Sequence, residues 1–212
     1  MNYEKRWDIF NALKNHIKEP KTELVYKNTF ELLIAVILSA QTTDIQVNRV
    51  TAKLFKIAPD PLKLSKLSRN KIESLINSIG LYKNKAKNIQ LTSSILISEY
   101  NGEVPQSRKE LESLPGVGRK TANVVLNTVF DQPVIAVDTH IFRLANRINL
   151  AKGKTPLEVE KKLTRLTPTE FLIDAHHLLI LHGRYVCKAQ NPDCSNCCIY
   201  DFCEYKKKLI KT

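Results

Sequence analysis

Cysteine is missing from everything before Cys187, and all five cysteines then crowd between Cys187 and Cys203. No apolar stretch follows Met1-Asn-Tyr-Glu-Lys-Arg-Trp7, so neither a secretory signal nor disulfides are expected. Long hydrophobic runs are scarce as well. Phe30 to Ala40 is apolar nearly all round, but a bilayer needs about 20 such residues. It reads as a central helix buried on most sides, and the protein is expected to be soluble and cytoplasmic. Alternating apolar and polar residues are also lacking. Leu24 to Tyr26 and Val134 to Val137 are too short to build a sheet. No internal repeat and no low-complexity linker is present. Acidic residues are under-represented: 21 Asp+Glu against 33 Lys+Arg leave a net charge of +12. Such an excess favours a polyanionic partner through counterion release. The run Lys206 to Lys211 is expected to be a frayed basic tail.

What is present is helical. Tyr3 to Ile17 carries Phe10, Leu13 and Ile17 on one stripe. Asp44 can cap a helix bearing Val47, Val50 and Leu54. Ser68 can cap another with Ile72, Leu75, Ile76 and Ile79, closed by Gly80 at its C-terminal end. Lys83 to Tyr100 is amphipathic. Thr155-Pro-Leu-Glu158 is a capping box opening a helix to about Leu166. Pro168 to His182 forms the next helix, ended by Gly183. His176, His177 and His182 fall on it without ligand spacing and read as packing or hydrogen-bonding residues. The length allows one large core or two smaller ones.

Only six glycines occur, and two of them flank one apolar residue in Leu114-Pro-Gly-Val-Gly-Arg-Lys-Thr-Ala122. Ser107 to Leu114 reads as a short helix with Ser107 as N-cap and Glu110 at the capping-box position. Pro115 stops it. Gly116 and Gly118 permit positive φ and close backbone approach. Arg119 to Phe130 is a second helix, with Ala122, Val125 and Leu126 on one face and Val129 following. Its N-terminus offers unpaired N–H groups and a positive dipole end, a setting that suits a phosphate.

Lys120 stands in the first turn of that helix. An amine must be neutral to attack carbon. A helix N-terminus disfavours a cation, and burial in a cleft disfavours it further. A second segment, Val134 to Arg147, leads an apolar approach into Asp138, the natural N-cap of an amphipathic helix with Ile141, Leu144 and Ala145. A carboxylate there can simply cap. Paired with Lys120, it can stabilise a developing sugar cation or relay a proton.

The cysteine spacing is Cys187-x6-Cys194-x2-Cys197-x5-Cys203, with Cys198 extra. Four thiolates so close suit a tetrahedral sulfur site, either zinc or an iron–sulfur cluster. Spacing alone selects neither metal, and it leaves Cys197 and Cys198 nearly interchangeable.

Leu114 to Ala122, Val137-Asp138-Thr139-His140 and the cysteine spacing together resemble the endonuclease III family, bifunctional DNA glycosylases of the helix-hairpin-helix superfamily. Leu38-Ser-Ala-Gln-Thr-Thr-Asp44 and Ile79-Gly-Leu-Tyr82 resemble family segments too, so the match spans almost the whole chain. The resemblance implies an all-α fold of two lobes with a DNA-binding cleft between them. One lobe is a six-helix body at about residues 22–132, with the hairpin at about 107–130. The other joins 1–21 to 133–212 and carries a cluster loop at 187–203. A [4Fe–4S] cluster is implied on Cys187, Cys194, Cys197 and Cys203, with Cys198 outside the family spacing. The implied substrate is an oxidised pyrimidine in duplex DNA, handled by a monomer with no membrane partner. The damaged nucleotide flips out, Lys120 attacks C1′, Asp138 stabilises the cationic sugar, and β-elimination cuts the strand. Gln41 and Leu81 match positions that fill the gap left by the flipped base, as polar plug and apolar wedge. Gly116, Val117, Gly118, Arg119 and His140 match DNA-contacting positions.

One departure from the family is plain. Its members carry several basic residues between the first two cluster cysteines, whereas Lys188-Ala-Gln-Asn-Pro-Asp193 has one basic and one acidic residue. Other readings compete. The adenine glycosylase branch shares fold and cluster but lacks the catalytic lysine and has a second C-terminal domain. A non-catalytic DNA-binding module uses the hairpin and cluster only structurally. An electron carrier has no use for the Lys–Asp pair, and it must also explain a cluster confined to the last part of a basic helical chain.

Overall fold

The structure is a computed structural model that describes residues 1–208. The last part of the basic run, Leu209 to Lys211, lies outside the described residues. Among those described there are eleven α-helices, one short 3-10 turn and no strand, so the all-α expectation holds. The chain divides into two compact units, Glu23–Phe130 and the remainder on either side of it.

The unit Glu23–Phe130 is organised round α2, Thr29–Leu38. Every residue from Phe30 to Leu38 is buried, as a helix apolar on all faces requires. Its one charged member, Glu31, is tied down by a capping box. Asn28 Oδ1 accepts from the Glu31 N–H at 2.8 Å, and the Glu31 carboxylate accepts from the Lys27 N–H at 2.7 Å. Around α2 stand α3 (Asp44–Ile57), α4 (Pro61–Lys66), α5 (Arg69–Ile76), α6 (Tyr82–Tyr100), α7 (Arg108–Ser113) and α8 (Arg119–Phe130).

The helices depart from expectation at three points in this unit. Thr43, not Asp44, caps α3 through its hydroxyl, so Asp44 falls in the first turn, where its charge suits the dipole. Helix α4 is an addition, announced by the N-cap Asp60 and by Pro61 at the first helical position. Ser68 does cap α5, but the helix ends at Ile76. Ile79 is buried from a turn instead, its N–H donating to the Ile76 carbonyl at 3.1 Å. The left-handed residue beyond is Leu81, at φ 58°, and not Gly80.

The other unit packs α1 (Tyr3–His16), α9 (Thr139–Arg147), α10 (Pro156–Leu166) and α11 (Leu172–Tyr185) round Phe10, Leu13, Ile141, Leu144 and Leu178. Burying each such side chain stabilises by about 1.5–3 kcal/mol. Gly183 does not end the last helix, which continues to Tyr185. A Cβ on Gly183 would sit 3.0 Å from the His140 carbonyl oxygen. The glycine is there so that α11 can approach α9 closely, a demand set by the neighbour rather than by the helix end.

Candidate active site and nucleic-acid interface

The hairpin between α7 and α8 is built from short local bonds. Ser107 caps α7, accepting from the Glu110 N–H. Leu114 closes α7 and buries its side chain, and the Val117 N–H returns to the Leu114 carbonyl at 3.1 Å. Buried Thr92 of α6 donates its hydroxyl to the Pro115 carbonyl at 3.0 Å, holding the turn from behind. Arg108 of α7 donates to the buried Asn123 of α8 at 2.8 Å.

The two glycines of the turn are unlike each other. Gly116 lies at φ +80°, and a Cβ there would meet Asn88 at 2.8 Å. Gly118 has ordinary φ and open space where its Cβ would be, so the expectation of positive φ is corrected at that position. Instead its carbonyl accepts from the Ala122 N–H at 2.9 Å and opens α8. Val117 is only 6 % exposed and spends its N–H inside the turn, so neither group faces outward. A helix start of this kind is the setting in which backbone N–H groups can meet an anion. Arg119 and Lys120 are exposed in that turn.

Gln41 and Leu81 belong to the same unit, in the α2–α3 and α5–α6 connections. Both are exposed, and Leu81 is 59 % exposed, so it is no core leucine. Both adopt left-handed backbone, at φ 54° and 58°. For a residue with a Cβ this costs roughly 1–2 kcal/mol and clusters at functional sites.

Asp138 caps α9, its Oδ1 accepting from the Ile141 N–H at 2.8 Å. That much is the structural role expected of it. The same helix carries Arg143 and Arg147, which anchor the start of the cysteine loop. Arg143 donates to the Cys187 carbonyl at 3.0 Å and to the Gly183 carbonyl at 2.6 Å. Arg147 donates to the Lys188 carbonyl at 2.7 Å and lies 3.4 Å from the Cys187 Sγ. His140 Nδ1 lies 3.4 Å from Arg143 Nη2. The arginines escaped the sequence reading. Their spacing of four on the polar side of α9 was the available signal.

Cys187, Cys194, Cys197 and Cys203 line one small cavity, and Cys198 is not part of its lining. His182 and Arg147 complete the wall beside the sulfurs, with His182 Nε2 3.6 Å from Cys197 Sγ. Burial pushes the Cys197 thiol up to about 12, and the neighbouring thiols add to this. Burial likewise pushes the His182 ring down to about 4, so it is neutral at pH 7. The four thiols share one cavity, and thiols are the donor type that a metal binds as it displaces their protons, but among the described residues no three Cys, His, Asp or Glu side chains stand close enough together to hold a metal ion as placed. In the loop, Asp193 accepts from Asn196 and Ser195, which lowers its proton affinity. The acidic residue that departs from the family pattern thus shapes a turn.

The match to known proteins is extensive. The model of the HhH-GPD superfamily base excision DNA repair protein family matches residues 34–169, which include the hairpin, Lys120 and Asp138. Endonuclease III of Escherichia coli (strain K12) is 54% identical over 209 residues, covering 99% of each chain. Endonuclease III of Haemophilus influenzae (strain ATCC 51907 / DSM 11121 / KW20 / Rd) is also 54% identical, again covering 99% of each chain. Among solved structures, a trapped endonuclease III–DNA covalent intermediate superposes with a TM-score of 0.90 at 45% identity, covering 96% of each chain.

Proposed function

Because this chain belongs to the endonuclease III family of HhH-GPD base excision DNA repair proteins, we propose a specific division of labour for its residues in glycosylase and abasic-site lyase chemistry. The substrate is an oxidised pyrimidine in double-stranded DNA, in a cytoplasmic setting. Gly116, Gly118 and the first turn of α8 grip the phosphodiester backbone. The damaged nucleotide is extruded, and Gln41 and Leu81 occupy the space it leaves.

Lys120 Nζ attacks C1′. The bond from C1′ to the base breaks, and the base departs with its electron pair and takes up a proton. Asp138 stabilises the cationic sugar as charge builds and accepts a proton from the lysine nitrogen. The C1′–O4′ bond then opens as O4′ takes up a proton, leaving an iminium between Nζ and C1′; this withdraws electrons from C2′, a C2′ proton is lost, and the C3′–O bond breaks with the 3′ phosphate as leaving group. Hydrolysis of the imine then returns free Lys120. The observation that carries this reading is Lys120 itself, exposed in the first turn of the helix that the hairpin opens. A monofunctional glycosylase has no need of an amine there.

Cys187, Cys194, Cys197 and Cys203 hold a [4Fe–4S] cluster, and Cys198 stays outside it. The cluster supplies a covalent staple for the loop that α9 anchors. Arg143 and Arg147 orient the loop's backbone, and Arg147 and His182 stand beside two of the sulfurs.

Borohydride reduction in the presence of duplex DNA containing thymine glycol tests the chemistry. The wild-type chain forms a covalent adduct, Lys120→Gln forms none, and Asp138→Asn forms it at least tenfold more slowly while binding DNA almost normally. An adduct that persists in Lys120→Gln removes Lys120 from the nucleophile's role. A parallel loss of DNA binding in Asp138→Asn returns Asp138 to capping alone.

A further inference from the structure

Lys85 is the most buried lysine among the described residues, only 4 % exposed, in the first turn of α6. Nothing in the proposed chemistry uses it. Burial alone disfavours its charge, and no carboxylate offsets that cost. An ammonium kept in such a place has a structural task that an apolar side chain could not perform.

Its bonds show the task. The Lys85 backbone N–H donates to the Leu81 carbonyl at 3.0 Å. Its Nζ donates to Thr42 Oγ1 at 2.7 Å. The Thr42 hydroxyl in turn donates to the Ala40 carbonyl at 3.3 Å. Ala40 and Thr42 are the two neighbours of Gln41. One residue therefore joins the left-handed turn at Leu81, through its backbone N–H, to the peptide units on both sides of the left-handed Gln41, through its ammonium and Thr42. Both loops present an exposed residue in a backbone state that local sequence does not favour, and the Lys85–Thr42 bridge ties one to the other.

We propose that Lys85 is a positioning residue that holds Gln41 and Leu81 at a set separation, and that this preset pair lets the protein prefer a duplex with a vacated base position over an intact duplex. The proposal rests on the gap-filling reading of Gln41 and Leu81. Preordering the two side chains removes an entropic cost from binding only where both are inserted.

The test uses the full-length chain and two probes: a duplex carrying a tetrahydrofuran abasic-site analogue and the same duplex undamaged. The readout is the ratio of the two dissociation constants. Lys85→Met lowers that preference about tenfold through weaker binding of the abasic duplex, with undamaged-duplex affinity within about twofold of wild type. Thr42→Val does the same, and Thr42→Ser, which keeps the hydroxyl, retains wild-type preference. Lys85→Met also melts at the same temperature as wild type or higher, because an apolar chain replaces a buried ammonium. In a Leu81→Ala background Lys85→Met adds less than about twofold.

An unchanged preference in Lys85→Met overturns the proposal, and so does an equal loss of both affinities, which would make Lys85 a general DNA contact. Gln41→Ala and Leu81→Ala separate the two levels. If both keep wild-type preference, the gap-filling reading fails and carries this proposal with it. If they lose it and Lys85→Met does not, Lys85 alone is refuted.

Discussion

Replacing Gly116 and Gly118 by alanine, one at a time, separates two jobs that the hairpin motif combines. At Gly116 the backbone sits at φ +80°, where an alanine costs about 1–2 kcal/mol. The new Cβ would also lie 2.8 Å from Asn88 Nδ2 and 3.1 Å from Asn88 Cβ. The amide end can swing away, but the Cβ is fixed to α6, so helix or turn must shift. Overpacking of this kind costs roughly 1–3 kcal/mol. The sum is about 3 kcal/mol, which in a chain of this size lowers the melting temperature by roughly 6–12 °C. At Gly118 the φ is ordinary and the added methyl meets nothing. Gly118→Ala should leave stability unchanged or raise it by up to about 1 kcal/mol, because alanine has fewer unfolded conformations to lose.

The order reverses for DNA. A Cβ at Gly118 stands in the exposed space through which a phosphate must reach the start of α8. Loss of one charge-assisted hydrogen bond there weakens binding roughly ten- to hundredfold. Thermal unfolding by circular dichroism and fluorescence anisotropy with an abasic-analogue duplex at fixed salt measure the two effects. Equal melting temperatures for the two variants would refute the assignment of backbone strain to Gly116. Wild-type DNA affinity in Gly118→Ala would refute the assignment of the phosphate to Gly118.

Two further outcomes are expected. His177 is buried, and burial pushes its ring down to about 4 from an ordinary 6.5, partly offset by Asp174. The unfolded chain therefore takes up a proton near pH 6.5 that the folded chain resists, and stability falls as pH drops from about 6.5 to about 4. The loss attributable to this group approaches 3 kcal/mol. Urea denaturation across that range should show a shallower decline in His177→Gln, and parallel curves would dismiss the ring as the cause. Cys198→Ser should retain the visible charge-transfer absorbance and iron content of the purified protein, whereas Cys197→Ser should lose both. The reverse pattern would make Cys198 the ligand.

Much of this protein is written in contacts three or four residues apart, and those are what the sequence determined by itself. Ser107, Thr155 and Asp138 cap their helices because a short polar side chain reaches an N–H three residues on whatever surrounds it. Phe30 to Leu38 is buried on every side because it has no polar face to turn outward. The spacing of residues in the hairpin and cysteine loop carried the family resemblance for the same reason. Tertiary structure decided whatever depends on a neighbour far along the chain. Gly183 sits inside a helix because the His140 carbonyl is 3.0 Å from where its Cβ would be. The left-handed residue after α5 is Leu81 although a glycine precedes it, a choice that local propensity alone argues against. Lys85 is buried because its ammonium has a hydroxyl 43 positions away to meet, and Arg143 and Arg147 reach a loop some 40 residues on. Helical periodicity shows which face is apolar. It does not show which buried polar atom will find its partner, because that bond exists only after the helices have packed.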